Sequence, residues 1–214
     1  IDGIRAHCPG LVVCASLSGR NVTDPAARSA VLSLLPDMAS LTLSSLNFVR
    51  SASVNSPDTI QELAERIYAA GASPELEVFD TGMVNYLGYL VRKGLIQPPF
   101  YINILLGNIA GAQLTASHIA ALERDLPEGA VIALAGLGQY QLDAHLVAMG
   151  LGWGVRVGLE DNVHWDRDKR KLTTNIELVK RVHAMAEIAR RPVMSAEAFG
   201  QLGFYNRQRH EARA

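Results

Sequence analysis

Short apolar runs alternate with longer amphipathic stretches along the whole chain. Six of the apolar runs are of strand length: residues 10–15 (GLVVCA), 38–43 (MASLTL), 75–79 (ELEVF), 101–106 (YINILL), 130–134 (AVIAL) and 154–159 (GVRVGL). Most carry β-branched residues, the composition of strands buried on both faces of a parallel sheet. The stretches between them read as helices with marked ends. Ser56 is placed as an N-cap ahead of Pro57, and Gly71 closes that helix. Thr81 opens the next, which Gly94 ends, and Thr115 opens a third that stops near Pro127. Thr174 and Glu177 form a capping box for a long helix running toward Arg190. Strands alternating with helices predict a parallel sheet under helical cover, with six βα units spaced by about 25 to 35 residues.

The placement of polar residues separates an open doubly wound sheet from a closed barrel. A barrel gathers its chemistry just past the C-terminal end of every strand, whereas an open sheet concentrates it at one switch point. Here each run is followed by polar or glycine-rich residues: 16–20 (SLSGR), then Ser44, Ser45 and Asn47, then 80–82 (DTG), 107–108 (GN), 136–139 (GLGQ) and 160–162 (EDN). The expectation is an α/β fold of the (β/α)8 TIM-barrel type, with six of the eight βα units in this chain. No composition shift or linker divides it, so residues 1–214 are expected to form one domain.

Composition narrows the functional classes. Hydrophobic residues make up 49% and charged residues 19%, which excludes a disordered chain. Lys and Arg number 20 against 21 Asp and Glu, a formal charge of −1. Without a basic field, nucleic acid is not an expected partner. No apolar run approaches the roughly 18 residues of a membrane span, so no membrane partner is expected and the chain reads as soluble and cytoplasmic. Cys8 and Cys14 match no metal or redox spacing and read as reduced, packed thiols.

The segment 154–162 (GVRVGLEDN) is the richest in chemistry. Two-residue periodicity would set Arg156, Gly158 and Glu160 on one side of a strand, facing the barrel interior. Charges there must be paired, metal-bound or lining a site. Adjacent carboxylates at a strand end suit one ligand and one base. Glu77 lies among apolar residues where a carboxylate needs a reason, while Glu75 reads as the exposed start of its strand. Gly136 and Gly138 precede a helix, where free N–H groups could hold a cofactor's anionic group. No HxH or HExxH spacing occurs among the histidines. His118, His145 and His183 fall within helices as surface or half-buried residues, and His164 reads as a loop residue.

At residues 156–162 (RVGLEDN) the sequence resembles the beta-keto acid cleavage enzymes. The likeness extends through 16–20 (SLSGR), 36–42 (PDMASLT) leading to Asn47 and Phe48, 74–80 (PELEVFD) and 136–138 (GLG). The resemblance implies a zinc-dependent barrel enzyme. Its substrates are a small-molecule beta-keto acid and acetyl-CoA, its products acetoacetate and a new acyl-CoA. It further implies Glu160 as a zinc ligand, Asp161 as the base that deprotonates the carbon alpha to the carboxylate, and Arg156 as the cation oriented on Asp161. Ser16, Ser40 and Glu77 fall at pocket positions, and a homo-oligomer, a tetramer, is the expected assembly. Ser40 stands where the family has Thr, and Ser18 where it has Gly. The family's HxH zinc ligands and a further glutamate belong to two earlier strands, so the chain is expected to lack the first two βα units. The competing expectation is a non-catalytic α/β binding or regulatory module that has lost its metal site.

Overall fold

The structure is a computed structural model and describes residues 1–211. One six-stranded parallel sheet runs in the order β1 (Cys14–Ala15), β2 (Met38–Thr42), β3 (Ser73–Val78), β4 (Tyr101–Leu106), β5 (Val131–Gly136) and β6 (Gly154–Val155). Spatial order follows chain order, without the reversal that marks a doubly wound sheet, and the fold is a partial (β/α)8 barrel. Four helices alternate with the later strands and a fifth follows β6: α1 (Pro57–Ala69), α2 (Thr81–Arg92), α3 (Ala116–Arg124), α4 (Gln141–Leu151) and α5 (Asn175–Ile188).

Local signals account for most of these boundaries. Ser56 accepts from the Thr59 amide at 3.1 Å and Thr115 from the His118 amide at 3.3 Å. Thr174 and Glu177 exchange both bonds of a capping box. α2 opens at Thr81 as expected, and its cap is the preceding Asp80, whose carboxylate accepts from the Met83 amide at 2.9 Å. Past α1, Gly71 adopts φ +72° while the Gln208 backbone nitrogen lies 3.0 Å from where a Cβ would stand, so this turn has room only for glycine.

Alternation along the strands divides the side chains. Leu41, Leu76, Val78, Ile102, Ile104, Leu106 and Leu134 turn outward into a core shared with Ile60, Leu63, Ile67, Met83, Leu87 and Leu90 of the helices. The opposite set faces the interior in register: Ser40 pairs with Glu75 and Thr42 with Glu77, and Glu75 and Glu77 in turn lie beside Tyr101 and Asn103.

Two strands, β1 and β6, keep only two residues of their six-residue apolar runs. Before β1, the Val13 carbonyl takes the amides of Asp37 and Met38 at 2.9 and 3.1 Å in an irregular turn. The run 154–159 leaves the sheet after Val155, which corrects the expectation that Arg156, Gly158 and Glu160 share a strand face. In an extended strand, residues five apart would lie about 16 Å from each other. The chain instead folds back so that Asp161 pairs with Arg156 at 3.0 Å.

The N-terminal end of the sheet is organised by Asp37, a fully buried carboxylate. It accepts from the Val13 amide at 2.9 Å and the Asn206 amide at 3.0 Å, and it pairs with Arg209. Asn206 also donates to the carbonyls of Pro36 and Ala70 at 2.8 and 2.9 Å, so one cluster ties the C-terminal segment to two strand entrances. Replacing Asp37 by Ala leaves a buried cation and several donors without partners. Asp37→Ala should cost about 3–5 kcal/mol in urea unfolding; a loss below about 1 kcal/mol would show that the cluster does not anchor the fold.

Candidate active site

Loops at the C-terminal ends of the strands enclose a cavity of about 510 Å³. Among the residues singled out in the sequence, Ser16, Ser40, Glu77, Arg156, Glu160 and Asp161 line it, as does Gly138. Gly136 does not. It is buried at the end of β5, where the Tyr140 carbonyl oxygen lies 2.3 Å from the position a Cβ would take, so its smallness serves packing of the following turn. The N–H of Gly138 is not free for an anion either, because it donates to the Asp161 carbonyl at 2.7 Å. The expected glycine cradle is therefore already committed to holding the 156–161 segment.

Arg156 is the centre of the floor. Its Nε donates to Asp161 Oδ2 at 3.0 Å, and its NH2 reaches Glu160 Oε2 at 3.1 Å. Its NH1 lies 3.5 Å from Glu77 Oε1 and 3.9 Å from Glu75 Oε1. Desolvation works against this cation, but Asp161, Glu75 and Glu77 more than offset it and hold the guanidinium above its ordinary range. Burial raises the Asp161 carboxyl above its usual value, and Arg156 opposes that rise. Glu77 is raised as well, first by burial and then by the neighbouring Glu75, while the Thr42 hydroxyl, donating at 2.6 Å, and Arg156 favour its ionised form.

Glu75 is not an exposed strand start. Its side chain faces the interior and accepts from Asn103 Nδ2 at 2.8 Å and from Cys14 Sγ at 3.2 Å. Both cysteines are free, and both are exposed rather than packed. The serine hydroxyls are poised as donors: Ser40 Oγ accepts from the Leu17 amide at 3.0 Å and Ser16 Oγ from the Ser18 amide at 3.3 Å, which leaves each O–H to a ligand. His118 and His183 are exposed and His164 half-buried in its loop. His145 departs from expectation, since it is completely buried.

The rim holds residues to which the sequence alone assigned no role. A hairpin of Leu46–Asn47 against Ala52–Ser53 rises beside the cavity and carries Phe48 and Arg50. The Arg20 guanidinium stacks 4.7 Å from the Phe48 ring and pairs with Glu160 at 3.3 Å, joining the loops that follow β1 and β6. Asn108 Nδ2 donates to the Asn47 carbonyl at 2.9 Å, and buried Arg28 donates to Asn55 Oδ1 at 2.8 Å beneath the hairpin. The hairpin had no turn signature of the Asn-Gly kind, and its strands are two residues each, too short to show a period.

Comparison with known proteins decides the family. The sequence profile of the beta-keto acid cleavage enzymes matches residues 1–202. The chain belongs to that family. Among relatives, the chain is 32% identical over 205 residues to a 3-keto-5-aminohexanoate cleavage enzyme of Fusobacterium nucleatum, covering 94% of this chain and 74% of the relative. It is 35% identical over 209 residues to a 3-oxoadipate:acetyl-CoA acetyltransferase of Cupriavidus necator, covering 95% and 72%. The solved apo structure of ObcA superposes with a TM-score of 0.78 at 20% identity, a likeness of fold. The match covers 95% of this chain but 53% of ObcA, so this beta-keto acid cleavage enzyme chain spans about half the length of that structure.

The residues present do not fit the zinc that the resemblance implies. Among the described residues no group of three or more His, Cys, Asp or Glu is placed to hold a metal ion. Glu160, the expected ligand, is an exposed carboxylate shared between Arg20 and Arg156. A stable zinc site takes three or four protein ligands, and these residues alone do not supply them.

The raised Glu77 carboxyl gives a signed prediction. The folded state holds its proton more tightly than the unfolded chain, so the Glu77 contribution to stability is lost as pH rises through the folded pKa. Glu77→Gln removes that penalty while Arg156 keeps Asp161 and Glu160. Its stability relative to the parent, followed by urea unfolding, should increase from about pH 4 to about pH 7; a relative stability that falls over this range contradicts the assignment.

Proposed function

We propose that this chain carries the acid–base machinery of an enzyme that condenses a beta-keto acid with acetyl-CoA and releases acetoacetate and a new acyl-CoA. The observation that carries this reading is the Asp161–Arg156 pair at the floor of the cavity, with Asp161 Oδ2 at 3.0 Å from Arg156 Nε and the Asp161 side chain nearly enclosed. A carboxylate raised by burial and held ionised by one fixed cation is suited to take a proton from carbon near neutral pH.

In this reading Asp161 removes a proton from the carbon between the ketone and the carboxylate. Arg156 keeps Asp161 aimed, and the free O–H groups of Ser16 and Ser40 donate to substrate oxygens. The carbanion attacks the thioester carbonyl of acetyl-CoA and expels the CoA thiolate. That thiolate adds to the original ketone, and the bond between the ketone carbon and the alpha carbon breaks. The new acyl-CoA leaves, and the proton held by Asp161 returns to the alpha carbon to give acetoacetate. Glu77, fixed by Thr42, maintains the charge around Arg156. The family membership and the acetyl-CoA-dependent relatives support the reaction class.

Zinc dependence belongs to the same proposal in a restricted form. Glu160 at the cavity mouth is the carboxylate that would contribute to a zinc site, and the described residues lack the rest of a ligand set. The 214-residue chain should accordingly retain well below one zinc per chain after dialysis, measured by elemental analysis; stoichiometric zinc would show that it assembles a site. The cytoplasmic location and the tetramer implied by the resemblance remain part of the proposal. No helix among the described residues is long and apolar enough to cross a membrane. Exposed Ile176, Val179 and Ile188 on α5 offer apolar surface for assembly.

The decisive substitution is Asp161→Asn, which keeps the shape of the pair and removes the base. Acetyl-CoA-dependent acetoacetate formation should fall by about 10²–10⁴-fold, read by a coupled assay on the enzyme. Retention of parental activity would exclude Asp161 as the base.

A further inference from the structure

Two completely buried polar side chains on α4, Gln141 and His145, take no part in the chemistry just described. They stand one helical turn apart on the same face, and both reach the stretch where the chain has left the sheet. Gln141 Nε2 donates to the Gly158 carbonyl at 2.9 Å. His145 Nε2 lies 2.9 Å from the Arg156 carbonyl. A carbonyl can only accept, so the imidazole proton is on Nε2. Buried Nδ1 has no partner among the described residues and is the bare nitrogen of the neutral ring. Burial, aided by Arg181, lowers the imidazole below its usual range against the opposing pull of the Arg156 carbonyl.

These bonds replace a missing ladder. Regular pairing with β5 stops at Val155, and the last strand-like contact is the Arg156 amide to the Leu134 carbonyl at 3.1 Å. Carbonyls that are turned into protein without a strand partner need donors from elsewhere. His145 supplies one to the Arg156 carbonyl, and Gln141 adds the shortest bond to the Gly158 carbonyl, which the Asp161 and Asn162 amides also reach at 3.3 Å. Neither side chain lines the cavity, whereas the Arg156 guanidinium enters it. The backbone from which Arg156 projects is therefore fixed from the helix side, and its guanidinium meets Asp161 on the cavity side.

We propose that His145 and Gln141 are positioning residues, which aim the Arg156 guanidinium at Asp161 by holding the carbonyls of Arg156 and Gly158. Their catalytic consequence rests on the acyl-transfer reading, but the aiming itself is measurable without turnover.

In the ¹⁵N-labelled chain, the Arg156 Nε–H resonance, assigned by its loss in Arg156→Lys, should exchange slowly with solvent. His145→Leu should speed that exchange by about tenfold or more as the pair opens locally. His145→Gln, whose amide can donate to the same carbonyl, should return it to within about twofold of the parent. Gln141→Leu should act in the same direction as His145→Leu and decides the matter if that variant does not fold. Unchanged exchange in a folded leucine variant, or equal loss in His145→Gln and His145→Leu, overturns the proposal. In the active enzyme, kcat should fall by about 100-fold in His145→Leu with KM for acetyl-CoA unchanged, and recover in His145→Gln. A kcat that stays at the parental value while only the melting temperature falls also overturns it. An enzyme without any turnover would count against the acyl-transfer reading and leave the exchange measurement to judge the positioning.

Discussion

One cation governs the functional end of this molecule. Arg156 stands within 3.9 Å of four carboxylates, those of Glu75, Glu77, Glu160 and Asp161. A half-buried guanidinium keeps its charge, so its desolvation must be offset by such partners, and the same cation favours the ionised form of the buried carboxylates. Satisfying both conditions requires the chain after β6 to abandon extended structure, since only a turn returns residues 160 and 161 to residue 156. The same condition explains why β3 carries two glutamates on its inner face. Asn103 holds Glu75 and Thr42 holds Glu77, each from a neighbouring strand. The cavity is thus the visible side of a charge-compensation problem solved across β2, β3, β4 and the 156–161 segment.

The two ends of the sheet solve different problems. At the N-terminal end, Asp37 gathers Val13, Asn206 and Arg209 into a buried cluster whose product is stability. At the C-terminal end, charges are left partly open to a cavity, and the loops that surround them are braced laterally through Arg20, Asn55 and Asn108. Barrels commonly separate stability from chemistry in this way. The separation lets the cavity hold raised carboxyls, which weaken the fold at neutral pH, because the opposite end supplies compensating contacts.

The hydrophobic pattern located all six strands of the parallel sheet, and caps at Ser56, Thr115 and Thr174 located helix starts to the residue. These features are local: a two-residue or 3.6-residue period and one hydroxyl near a free N–H leave direct marks in the chain. The pattern overextended the last strand, since the pull of Asp161 on Arg156 outweighs the strand preference of Val157. It also placed Glu75 at a surface and His145 on a helix exterior. Glu75 is drawn inward by an Asn 28 residues later, and His145 by a carbonyl that became available only because a strand ended early.

The sequence by itself determined the βα order, the parallel sheet and the family that RVGLEDN marks, because periodicity, caps and a distinctive motif reside in neighbouring residues. Tertiary structure alone decided which charges share Arg156, that Gly136 serves packing and Gly138 an internal bond, and that α4 sends two polar side chains to the back of the site. Each of those outcomes depends on distances between residues far apart in the chain, set by sheet register and by the need to pair every buried charge and carbonyl.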